Sequence, residues 1–132
     1  MLFMGSLKTY LAACLLGLLQ APNAHATDLV QLFADCAGRY SALTEHLWLW
    51  DGPASDPAAL KRDQFAALLD AVLPAPNGIE ARQALALRIE AKAAQRALLD
   101  RSAFRTAASG QDHAIVQAQL HLTRCESLLL SQ

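Results

Sequence analysis

Two cysteines limit what this chain can fold into more than any other feature. Cys36 and Cys125 lie near opposite ends of the segment that follows an apolar N-terminal stretch. A third, Cys14, sits inside that stretch. The stretch runs MLFMGSLKTYLAACLLGLLQAPNAHA and has one cation (Lys8), no acidic residue, an apolar run from Leu11 to Leu19 and a break at Pro22. Ala24 and Ala26 then place small residues where a signal peptidase needs them. This is the layout of a cleaved secretory leader over residues 1–26. Its apolar run of about nine residues falls well short of the roughly twenty that span a bilayer. The alternative is a lipoprotein box, Leu11-Ala12-Ala13-Cys14, with Cys14 lipidated. Only Thr9 and Tyr10 separate that box from Lys8, so the apolar region before it is almost missing.

Loss of the leader makes 27–132 a single domain with exactly one pair of cysteines. In an exported protein such a pair predicts a disulfide, Cys36–Cys125. It would close a loop of about ninety residues and contribute roughly 4 kcal/mol in the chain-entropy model. The expected location is periplasmic or secreted.

The remaining pattern is helical, with no alternating stretch that would predict a strand. The first helix is expected over 28–50, on a stripe of Leu29, Phe33, Cys36, Tyr40, Leu43, Leu47 and Trp50. Asp51-Gly52-Pro53 stops it. The second is expected over 57–73, capped by Asp56 with Pro57 in the first helical position. Its inner face is Phe65, Leu68, Leu69, Val72 and Leu73. The third is expected over 78–107, opened by the capping box of Asn77 and Glu80. One seam on it is Leu87, Ala91, Ala94 and Leu98. A second apolar set, Leu85 and Ile89, predicts a second neighbour. The fourth is expected over 111–130, with Ile115, Ala118, Leu122, Cys125 and Leu129 inward.

Short connections favour antiparallel neighbours, so the expected fold is all-α: an up-down-up-down four-helix bundle. Cys36 near the start of the first helix and Cys125 near the end of the last then come level. One disulfide staples first helix to last. Gly38, inside the first helix, costs about 1 kcal/mol against Ala, and close approach of another helix explains it.

Chemistry is sparse. The leader takes only Lys8 from eleven cations and nothing from twelve acids, so the domain is mildly acidic. That argues against a nucleic-acid partner. His46, His113 and His121 fall in no metal or haem motif, and His121 with Cys125 would lose its thiol to the disulfide. No nucleophile elbow, Ser-x-x-Lys pair or phosphate loop is present, and Asp63 and Asp70 read as surface charge. The expectation is therefore no enzyme, no cofactor and no metal.

Two features point to a partner surface. Residues 27–78 are net acidic and 79–132 net basic, with Arg88, Lys92 and Arg96 in a row at four-residue spacing. Like charges at that spacing repel, so the row expects an acidic counterpart: the first half of the same molecule, water, or a partner. The other feature is EHLWLWDGP, 45–53. Leu47 and Trp50 continue the inward stripe, while Trp48 and Leu49 exceed it. Either the 51–55 turn or the start of the second helix folds over Trp48, or Trp48 is an exposed aromatic contact. The expected role is a non-catalytic protein-binding or accessory module with an unknown protein partner. Alternatives are a carrier of a small apolar ligand held between the helices, and a periplasmic stress or chaperone-like factor.

Overall fold

The computed structural model describes residues 23–104 and 113–130. Four helices make up this part: α1 (Asn23–Trp50), α2 (Gly52–Val72), α3 (Ile79–Phe104) and α4 (His113–Leu130). No strand occurs among the described residues. The leader as far as Pro22, with Lys8 and Cys14, lies outside them, as do 105–107 and 111–112 at the expected ends of the third and fourth helices. Ala24 and Ala26 fall in the first turn of α1.

Helix α1 is the hub. It packs against α2 and α3 along its length, and α4 lies on α3 and on α1. Helices α2 and α3 follow each other in the chain, yet no Cα of one comes within 8 Å of the other. The reason is written in α1. Ala34, Gly38, Ser41 and Ala42 recur at three- and four-residue spacing, so α3 can come close on that face. A Cβ built on Gly38 would lie 2.3 Å from the carbonyl oxygen of Arg88 and 3.0 Å from the Ala91 Cβ. The expected close approach at Gly38 is therefore present, and α3 is the helix that makes it.

The other faces of α1 carry bulk. Phe33 and Tyr40 pack on Phe65 of α2, with ring centroids 6.3 and 5.9 Å apart. All three rings are buried, Phe65 completely. Each such side chain contributes about 1.5–3 kcal/mol of transfer free energy, so this trio is the largest apolar anchor between α1 and α2.

Cys36 and Cys125 form a disulfide between α1 and α4, with Cα atoms 5.6 Å apart. Helix α4 needs it, because only Ala118 and Cys125 of that helix are buried. Two polar fasteners assist. Buried Gln95 donates from Nε2 to the Ala118 carbonyl at 3.1 Å and accepts from Arg39 at 3.2 Å. Glu126 accepts from Lys61 of α2, and from Tyr40 Oη at 3.4 Å.

Three expectations need correction. Helix α2 begins at Gly52, not Pro57. Asp51 is its N-cap, its side chain accepting from Ala54 N at 3.4 Å, and Pro53 occupies the first turn, where a missing N–H costs nothing. Pro57 therefore lies inside α2; the Pro53 carbonyl that loses its partner belongs to an exposed residue and can face water. Neither end of the expected inward stripe is buried: Leu29 is 40% and Trp50 67% exposed. Leu85 and Ile89 have no second neighbour among the described residues and stand 57% and 59% exposed, because α4 meets α3 on the side of Gln95 instead.

Candidate functional site

The early start of α2 decides the environment of the tryptophans. Asp51 alone separates α1 from α2, and its N–H donates to the Leu47 carbonyl at 2.6 Å. The 51–55 stretch that would have folded over Trp48 is instead the first turn of a helix. Trp48, Leu49 and Trp50 remain 72%, 71% and 67% exposed. Leu47 is partly buried against the core. The imidazole of His46 lies 6.4 Å from the Trp50 ring.

These residues form one wall of a groove of about 420 Å³. Ala42, Glu45 and His46 of α1 continue that wall, and Arg96, Asp100 and Ala103 of α3 face it. The tip is thus an apolar ridge beside a rim carrying both signs of charge.

The basic row is largely met from within. Lys92 donates to Glu45 at 2.5 Å, and Arg96 lies 3.8 Å from Glu45 and 3.7 Å from Asp100. Arg88 abuts Gly38 through its carbonyl. The Asp63 carboxyl is held below its usual range by its hydrogen bond from Arg62, with Arg88 adding to the effect. Glu45 and Asp100 are thus the acidic counterparts of Lys92 and Arg96. The structure brings Trp48 and Leu49 to the groove together with Arg96, whereas Lys92 is held by Glu45 and Arg88 meets α1 through its backbone carbonyl.

Among the described residues, the ligand-type atoms that converge belong to Asp35, Cys36 and Cys125, and the two sulfurs are bonded to each other. Arg39 is held by Asp35 at 2.7 Å and by Gln95. Burial, and next the charge of Arg39, push the His121 imidazole below its ordinary value. Burial raises the Tyr40 phenol, with the Glu126 carboxylate adding to it. Every buried side-chain nitrogen and oxygen among the described residues has a hydrogen-bond partner. Asp35, Arg39 and His121 line a groove of about 530 Å³ beside the disulfide.

Sequence reasoning kept Arg96 in a basic row separate from Trp48 and missed that α3 forms the second wall of this groove. Asp100 and Ala103 carry no motif, and only the parallel run of α1 and α3 brings them beside Trp48. Comparison with protein-family models, with curated proteins and with solved structures finds no match to this chain.

Proposed function

We propose that this protein is an exported, non-catalytic binding or accessory module that engages a protein partner through the end of α1. The observation that carries this reading is the contiguous exposure of Trp48, Leu49 and Trp50. Burying three large apolar side chains on association is strongly favourable, and aromatic residues dominate the energetics of protein contacts. The mixed charges of Glu45, Arg96 and Asp100 supply the polar rim that orients a partner.

Export is supported by the leader pattern over 1–26 and by the Cys36–Cys125 disulfide, which persists in oxidising compartments. No described helix is long and apolar enough to cross a membrane. An up-down-up-down course completes the reading. It is supported by partners that rise together along α1 and α3, from Gly38 with Ala91 to Glu45 with Arg96. The test is affinity capture from the periplasm. Trp48→Ala keeps the fold and loses the captured partner. Unchanged capture by Trp48→Ala and Trp50→Ala together would contradict the reading.

A second reading, carriage of a small apolar ligand, draws on a groove of about 740 Å³ at the other end of the molecule. Val30, Val72, Ala84 and Leu87 give it an apolar floor, and Glu80 and Glu90 rim it. A carrier would retain a bound small molecule in native mass spectrometry; an empty protein would count against it.

A further inference from the structure

Helix α3 has two faces, and among the described residues only one is covered. Ala84 and Ala91 are buried, with Ala91 against Gly38 of α1. On the opposite side Arg82, Ala86, Ile89, Ala93, Arg96 and Asp100 follow one another at alternating spacings of four and three residues. That is the a/d spacing of a helix seam. Ile79 and Ala103 extend it by one step at each end. Ile79 and Ile89 are 58% and 59% exposed, and the side chain of Arg82 forms no ion pair among the described residues.

The order of side chains along this seam says what fits it. Its N-terminal half carries Ile79, Ile89 and the cation Arg82, with Ala86 between them; its C-terminal half carries Ala93, Ala103 and the anion Asp100, with Arg96 paired to Asp100 within the chain. We propose that the seam pairs with the same seam of a second copy, running antiparallel about a two-fold axis level with Ala91. This rests on reading the tip of α1 as a contact surface, and it names the partner. In this arrangement Ile89 of one copy lies against Ala93 of the other, and Arg82 lies against Asp100. The two-fold axis makes each of these contacts twice. The Arg96 stem crosses the small Ala86 of the second copy and leaves its guanidinium near Glu45. A parallel pairing would stack Arg82 on Arg82 and Asp100 on Asp100, with Ile89 on Ile89 and Ala93 on Ala93, so complementarity selects the antiparallel form.

The same geometry reaches the tryptophans. Antiparallel pairing sets Ile79 of the second copy over Ala103. Ala103 and Asp100 line the groove whose other wall is Trp48 and Leu49. The exposed start of α3 and the exposed end of α1 are then two halves of one contact, made twice.

Sedimentation of the full chain over a concentration series tests this. The expected result is a reversible monomer–dimer equilibrium. Arg82→Asp and Asp100→Arg are each expected to raise the dimer Kd about tenfold or more, through two lost ion pairs and two new repulsions. Combining them in one chain restores pairing, because each site again meets its opposite charge. Circular dichroism checks that these exposed substitutions leave the helices intact. A chain that is monomeric up to about 1 mM, the weakest affinity worth a specific contact, overturns the proposal. So does a dimer indifferent to both reversals. A monomeric chain that still loses a captured partner on Trp48→Ala overturns self-pairing alone and leaves the contact-surface reading standing.

Discussion

The middle of α1 and its last turn belong to one helix and have opposite surroundings. Between Phe33 and Ala42 nearly every residue is buried, because α2, α3 and α4 all close on this stretch. Eight residues on, Trp50 is two-thirds exposed. The change comes from the neighbours, since composition alone would have buried the tryptophans first. Helix α3 stands across a groove from the tip, and α2 leaves after a single linking residue. A helix buries what its partners reach. Large apolar residues past that reach stay exposed among the described residues.

This contrast can be attacked from the buried side first. Phe65→Ala removes the ring on which Phe33 and Tyr40 pack, and is expected to cost about 3–5 kcal/mol in denaturant unfolding. Replacing both cysteines, Cys36→Ala with Cys125→Ala, is expected to cost about 4 kcal/mol. Its second signature is local: amide exchange should rise in α4 more than in α2, because α4 has so little buried surface of its own. Uniform loss of protection would instead mean that α4 is held by packing. Gly38→Ala forces the Arg88 carbonyl to retreat and is expected to cost about 2–3 kcal/mol, against the stabilisation that Gly→Ala brings in an open helix.

How much of this was legible beforehand depends on the range of the interaction. The cysteine pair, the four helical stretches and the role of Gly38 are local signals. Each is visible in a few residues. The start of α2 was misread because Asp51-Gly52-Pro53 and Asp56-Pro57 are both sound capping signals within a few residues. The choice rests on Asp51 reaching Ala54 N, a matter of geometry. Leu85 and Ile89 were expected to have a neighbour because periodicity reports an apolar face and is silent on what covers it. Trp50 failed for the same reason: a stripe continues inward only as far as the neighbouring helices do. The groove at the tip was the least legible, since Asp100 and Ala103 join Trp48 only through the docking of α3 on α1.

A smaller effect concerns pH. The hydrogen bond from Lys61 holds the Glu126 carboxyl below its ordinary value. Its contribution is therefore fully present above the unfolded carboxyl value, about 4.3, and is lost as pH falls through the lower folded value. Because Glu126 is half-exposed, Glu126→Gln is expected to cost no more than about 1 kcal/mol at neutral pH. The difference from the parent should vanish in acid. A gap that persists at low pH would assign the loss to packing instead. At the far end of the series, Trp48→Ala should change stability by less than about 0.5 kcal/mol, in contrast to Phe65→Ala.

The most direct test of the bare tip uses the tryptophans themselves, since Trp48 and Trp50 are the only two in the chain. Their fluorescence should be measured with a soluble quencher, at a dilution where the chain sediments as a monomer. The account predicts that the folded protein emits with nearly the wavelength of the unfolded chain, and that iodide quenches both states almost equally. Blue-shifted emission protected from iodide in the folded monomer would show that the end of α1 is covered, and would contradict the account.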